Sequence, residues 1–261
     1  AACAQALALE PGDWLARLNA GVIAFARGRL DDAEVDLAAA VAARPQSVEA
    51  LVNLGNVKLA AGARAEALAL FERALATAPG DPRAMVGHGR ALLEIGRFEE
   101  ALAALARGET ANPTDAEASI QLAAAASRQG DHAAARAASD RALVRSPRST
   151  RARWQSALLL PRIYRSAEEI EDCRNEWAAR VAALADDWPL DTPARIRDAV
   201  EAVTTTTNFD LNYQGRNDRK LQELLGGLLQ RTAAARHPRL AEPPAPRPAR
   251  ARPRVGFVSA F

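Results

Sequence analysis

The side chains best equipped for chemistry are few, and their spacing assembles none of the usual catalytic centres. The histidines are His88, His132 and His237, and the cysteines are Cys3 and Cys173. No pair among them stands at metal-ligand spacing, so no metal site is expected. The cysteines lie far apart in segments with helical patterning, which argues against a disulfide framework. His88 falls where apolar residues stand elsewhere in the chain, the place of a packed histidine rather than a general base. Glu168, Glu169, Glu171 and Asp172 crowd a helix start, where carboxylates favour the positive end of the helix dipole. A carboxylate pair could also serve glycoside chemistry, but the cluster reads better as a solvated face. Gly226-Gly227 lies inside a helical pattern and Gly256 stands alone, so no phosphate loop is formed. Catalytic and cofactor-binding residues are thus expected to be absent from this chain.

What remains are amides and arginines, and their placement depends on the elements that carry them. Prolines 11, 45, 79, 113 and 147 recur every 34 residues, and Gly28, Gly62, Gly96 and Gly130 recur at the same step. Asp13, Ser47, Asp81, Asp115 and Ser149 stand two residues after each proline. All five suit a helix N-cap, where a short side-chain oxygen satisfies an orphan N–H. Each unit therefore reads as N-cap, helix, glycine turn, second helix and a proline that stops it. Gly21, Gly55, Gly89 and Ala123 occupy one position, and Ala33, Ala67, Ala101 and Ala135 another, so small residues let the two helices approach closely. Leu37, Leu54, Phe71, Leu105 and Leu122 bury against neighbouring hairpins, since one hairpin cannot bury its own apolar face.

The composition agrees with stacked helices. Aromatics are only 5% of 261 residues while alanines number 63, so the core relies on small side chains. The net charge of +2 excludes a polybasic chain, and nucleic acid is not expected as a partner. Only Lys58 and Lys220 are lysine among 34 basic residues, an arginine excess read as the codon usage of a GC-rich bacterial genome. No apolar run approaches the ~20 residues that cross a bilayer, and no signal-peptide pattern opens the chain. No membrane partner is expected, and the expected setting is cytoplasmic.

A 34-residue helix–turn–helix with these marks resembles the tetratricopeptide repeat. Four copies fit at 14–47, 48–81, 82–115 and 116–149, and residues 1–13 resemble the end of another. The fourth copy carries Ser119 and Ser139 where apolar residues are usual, and looser packing is expected there. The resemblance implies a superhelix whose first helices line a concave side. On that side the sixth residues of the units are Asn19, Asn53, Gly87 and Gln121, with Asn56 and Arg90 one turn further along. Such amides can hold the backbone of an extended acceptor peptide; the alternative is a cap or a solvated polar face. The chaperone-tail clamp of other tetratricopeptide proteins is not assembled, because Leu18, Val22 and Gly87 stand in its places.

After Ser149 the rhythm stops, and residues 150–237 read as a helical bridge. Arg151 to Leu160 form one more first-type helix ended by Pro161. Ser166 and Glu169 open a helix through Ile170, Cys173, Trp177, Val181 and Leu184. Another starts at Asp191 or Thr192 and ends in Thr204 to Thr207, and Leu221 to Ala235 is helical again. Residues 238–253, rich in proline and arginine, read as a linker, and 254–261 as a strand. LLLPRIYRSAEEIEDCRNEW (158–177), TNFDLNYQGRNDRKLQELLG (207–226) and RVGFVSAF (254–261) resemble bacterial members of the O-GlcNAc transferase/SPINDLY family, with departures at Asp210 and Asn212 in the loop.

The resemblance implies an all-α superhelix and bridge, with a terminal strand that would begin a GT-B-type α/β lobe. It further implies that the parent protein moves a sugar, N-acetylglucosamine first, from a uridine-diphosphate donor to a Ser or Thr of an acceptor protein. The catalytic part is absent from this chain, which would be the acceptor-recognition region, with Asn19, Asn53, Asn56, Arg90 and Gln121 contacting the acceptor. The alternative is a non-catalytic scaffold or adaptor that binds a partner protein.

Overall fold

The computed structural model describes residues 2–10, 12–206 and 209–241. After α1 (Ala2–Leu9) come four helix hairpins. They pair α2 (Trp14–Ala26) with α3 (Leu30–Ala43), α4 (Val48–Ala60) with α5 (Arg64–Thr77), α6 (Pro82–Glu94) with α7 (Phe98–Ala111), and α8 (Glu117–Gln129) with α9 (His132–Arg145). The bridge follows as α10 (Thr150–Leu158), α11 (Ala167–Asp186), α12 (Pro193–Val203), a 3-10 helix (Phe209–Gln214), α13 (Arg219–Arg236) and the short α14 (Pro238–Ala241). No strand occurs among the described residues.

The local signals explain the hairpins. Side chains of Asp13, Ser47, Asp81 and Ser149 accept hydrogen bonds from first-turn N–H groups of α2, α4, α6 and α10. Asp115 departs from that series. Its Oδ1 accepts from the Glu117 N–H at 2.9 Å, and Ala116 takes the cap position of α8. At the turns, Gly28, Gly62, Gly96 and Gly130 all have φ between 73° and 87°. Arg29 N–H then reaches back to the Ala24 carbonyl at 3.0 Å and Gly28 N–H to that of Phe25 at 2.9 Å, closing the first helix with a left-handed glycine cap.

Close approach at the paired glycines is a packing requirement. A Cβ on Gly21 would lie 2.5 Å from Leu37 Cγ, and one on Gly89 2.6 Å from Leu105 Cγ. One on Gly55 would lie 2.8 Å from the Phe71 ring. Leu18, Leu37, Leu51, Phe71, Leu92 and Leu105 are fully buried, each contributing about 1.5–3 kcal/mol. Together with the buried alanines they run as apolar cores from hairpin to hairpin.

The fourth hairpin does not pack as the serines suggest. Ser119 and Ser139 are buried, and Ser119 Oγ donates to Glu109 at 2.5 Å and lies against Arg145. At Ser119 a polar network thus replaces the apolar contact.

The bridge has its own core of Trp154, Trp177, Val181, Leu184, Leu211 and Leu228. Helix α10 stops at Leu158 and Leu159 is extended, two residues before the Pro161 ring that would clash with a further turn. Ser166 Oγ accepts from the Glu169 N–H, and Glu169 accepts from the Arg165 N–H, fixing the start of α11. Thr192, not Asp191, caps α12. Arg174, buried, donates to Gln214 at 2.7 Å, Asp218 at 2.6 Å and the Asn217 carbonyl at 2.9 Å. That latch secures the 3-10 helix, in which Leu211 is buried between half-buried Asp210 and exposed Asn212.

The expected linker is corrected at its start. Pro238 opens α14, where its missing N–H leaves no bond unmade, and this turn packs on α13. The rest of that segment and the expected strand at 254–261 lie outside the described residues.

Candidate functional site

The first helices of successive hairpins line a polar groove that Arg90 divides into two cavities. One, of about 210 Å³, is walled by Asn53, Asn56, Arg90, Asn112 and Glu117. The other, of about 260 Å³, is walled by Arg90, Gln121, Arg128, Arg151, Gln155 and the Thr205–Thr206 pair. A further cavity of about 220 Å³ continues past Gln155, Thr205 and Thr206 to Arg162 and Asp210. The threonine pair belongs to the bridge: Thr204 and Thr205 hydroxyls donate to the Glu201 and Ala202 carbonyls, ending α12 and presenting Thr205 and Thr206 to the groove.

The candidate amides are not placed alike in this geometry. Asn19 is exposed on α2 and lines neither cavity divided by Arg90. Asn53 lines the groove and donates to the Glu49 carbonyl of its own helix at 2.9 Å. Gln121 is only 5% exposed and donates to Glu117 at 2.7 Å. Gly87 carries no amide because the Phe71 ring fills the space a side chain would need. Asn56 and Arg90 meet directly, Nη1 donating to Oδ1 at 3.2 Å.

Ion pairs tie the walls together. Arg128 reaches Glu94 at 3.1 Å, Arg151 reaches Glu117 at 3.2 Å, and Arg162 donates to the Arg128 carbonyl at 3.1 Å. Gln155 donates to the Ile120 carbonyl at 3.1 Å. Burial lowers the Arg90 pKa from its ordinary value, with the charge of Glu117 acting the other way. Thr205 and Thr206 escape a search for identical residues at a 34-residue step, whereas Gln155 repeats Gln121 and Arg162 repeats Arg128 at that step. Opposite partners at that step would have revealed Glu94 with Arg128 and Glu117 with Arg151.

The remaining reactive groups stay apart. His88 is half-buried with Nε2 3.9 Å from Glu72, and burial lowers its pKa. His132 opens α9, and His237 ends α13 in an exposed position. Both cysteines are free thiols. Among the described residues no three His, Cys, Asp or Glu side chains are placed to hold a metal ion. No described helix is long and apolar enough to cross a membrane.

Sequence profiles of the tetratricopeptide repeat match residues 1–48 and 58–120. Those residues form tetratricopeptide repeats. Their stacking is similar to that of TTC0263, a thermophilic tetratricopeptide-repeat protein of Thermus thermophilus, at 25% identity and a TM-score of 0.59, over 73% of this chain and 99% of that one. PilW, a type IV pilus biogenesis factor, is similar over 77% of this chain and 87% of its own, at 21% identity and a TM-score of 0.61. MamA of Desulfovibrio magneticus RS-1, from its residue 41 onward, follows at 19% identity and a TM-score of 0.52, over 66% and 93% of the two chains. At their identities the last two show the shared repeat fold alone. No curated protein sequence matches the chain.

Proposed function

We propose that the chain is a protein-recognition scaffold whose groove holds an extended segment of a partner protein. The observation that carries this reading is the run of polar cavities along successive first helices, with Asn53, Asn56 and Arg90 on the repeats and Thr205 and Thr206 on the bridge. Side chains of this kind engage a peptide backbone by hydrogen bonds that depend little on its sequence. The groove would correspond to the concave face of the superhelix. Limited cross-linking tests it: a photoreactive group at Asn56 should capture partner protein from a cell extract, and one at exposed Val144 of α9 should not. Equal capture at the two positions would count against the groove.

The resemblance of 158–177, 207–226 and 254–261 to O-GlcNAc transferase/SPINDLY proteins extends the proposal. In this reading the chain is the acceptor-recognition region of a protein glycosyltransferase that uses a uridine-diphosphate sugar, with N-acetylglucosamine the first sugar to test. The bridge supports it by lining the same groove as the repeats, so a bound segment would run onward beside it. The 261-residue chain should bind no uridine-diphosphate N-acetylglucosamine in calorimetry, because its described residues offer no site for the diphosphate. The product of the whole gene should transfer the sugar to a protein hydroxyl. A gene product with no transfer activity would leave the adaptor reading, in which the same groove binds a partner without chemistry.

A further inference from the structure

Arg90 is the cation at the middle of the groove, and among the described residues it has no carboxylate partner. The other arginines of the two cavities are paired: Arg83 with Asp81 at 3.2 Å, Arg128 with Glu94 at 3.1 Å and Arg151 with Glu117 at 3.2 Å. Arg90 donates to a neutral oxygen, that of Asn56, at 3.2 Å. One amide oxygen satisfies one of the five N–H donors of a guanidinium, whose fork geometry suits the two oxygens of a carboxylate. The side chain is half-buried, so water solvates its charge incompletely, and it lines both cavities at once. Of the carboxylates that share those walls, Glu94 and Glu117 are engaged by Arg128 and Arg151, and Asp115 accepts from the Glu117 N–H at 2.9 Å.

We propose that Arg90 receives the carboxylate of an aspartate or glutamate within an extended partner segment lying along the groove. The inference rests on the peptide-holding reading above and adds to it a preference for acidic segments. An internal side chain is favoured over a chain terminus because polar cavities continue on both sides of Arg90. Asn53 and Asn56 lie on one side, and Gln155, Thr205 and Thr206 on the other. A segment that placed its last residue at Arg90 would leave one of these cavities unused.

The test uses an array of random twelve-residue peptides probed with the whole chain. Peptides that bind are remade with each acidic residue changed to its amide, and separately with the C-terminal carboxylate amidated. The chain is compared with Arg90→Gln, Arg90→Lys and Asn53→Ala/Asn56→Ala, each checked for an intact thermal transition. Binders should be enriched in acidic residues, and neutralising one such residue should weaken binding about tenfold. That loss should vanish in Arg90→Gln and be partial in Arg90→Lys. The peptide arm stands even if an Arg90 variant fails to fold, because it alters the peptide alone. Neutral and acidic peptides binding equally, with both sensitive to the asparagine variant, overturns the role of Arg90 and leaves the groove reading intact. Loss on C-terminal amidation alone also overturns it. Binding insensitive to the asparagine variant, or no binding at all, overturns both readings.

Discussion

Glu109 of the third repeat accepts a hydrogen bond from Arg145 of the fourth at 2.5 Å, across 36 residues of sequence. Arg141 grips the same carboxylate with two further donors, at 2.9 and 3.1 Å. Burial raises the carboxyl's pKa, but the hydrogen bonds from Arg141, Ser119 and Arg145 outweigh it and hold the value at about 2.

We predict a pH signature from this cluster. A folded-state pKa below the unfolded value of 4.5 gives stability that is fully present above about pH 5 and is lost as pH falls toward 2. Glu109→Gln should lower stability at pH 7 by about 2–4 kcal/mol, since it leaves the partly buried Arg145 without its counter-charge. The gap between variant and parent should narrow steadily from pH 5 to pH 2 in denaturant titrations. A gap that is constant with pH would show that the charge is not what joins the repeats.

Three glycines should respond to alanine for three different reasons. Gly55→Ala pushes a methyl onto the Phe71 ring and should cost about 1–3 kcal/mol. Gly62→Ala meets no neighbour but must hold φ at +79°, so about 1 kcal/mol of backbone strain is expected. Gly226→Ala, in the interior of α13 with open space around it, should stabilise by about 0.5–1 kcal/mol. Thermal midpoints of the three variants check the order, and a destabilised Gly226→Ala would contradict it.

Asn53→Ala should weaken partner binding while changing stability by no more than about 0.5 kcal/mol, because its one hydrogen bond is to the carbonyl of its own helix at a half-buried site. Stability falling with affinity untouched would make the amide structural.

Arg174→Met should cost about 3–5 kcal/mol, since Asp218 and Gln214 lose the donors that offset their burial. Hydrogen exchange should quicken first across residues 209–218 and leave α4 and α5 unchanged. Faster exchange spread evenly over the chain would argue that Arg174 supports no particular segment.

Much of the helical repeat is legible because it is written in residues whose backbone demands are absolute. A glycine at positive φ and an oxygen-bearing cap recur at the same step, and Gly21, Gly55 and Gly89 meet large side chains that leave them no room. Asp115 shows the limit of that reasoning: the residue type suits a cap, but the helix starts one residue later. Burial of Ser119 escaped the pattern for a related reason. Its partners are charges brought in from α7 and α9, and periodicity of apolar residues does not report them. The groove was legible only in part. Asn56 and Arg90 stand at equivalent positions, as do Asn53 and Gln121, whereas Thr205 and Thr206 reach the wall because the bridge folds back on the repeats, a tertiary event with no local mark.

Trp154 on α10 lies tilted against Trp188 with ring centroids 5.7 Å apart, so the helix that begins like another repeat turns part of its apolar face to the bridge while Ala152 packs on the fourth hairpin. Where a second helix of a repeat would pack, Arg180 of α11 grips the carbonyls of Ala157 and Leu159 instead. The array is therefore not free to lengthen here. Duplication or loss of a whole unit upstream of α10 would re-form the same interface each time, whereas a unit inserted after it would strip the bridge from its seat. Variation in copy number among homologues should fall on one side of Thr150, and the distance from the last repeat to the bridge should stay fixed while the reach of the groove changes.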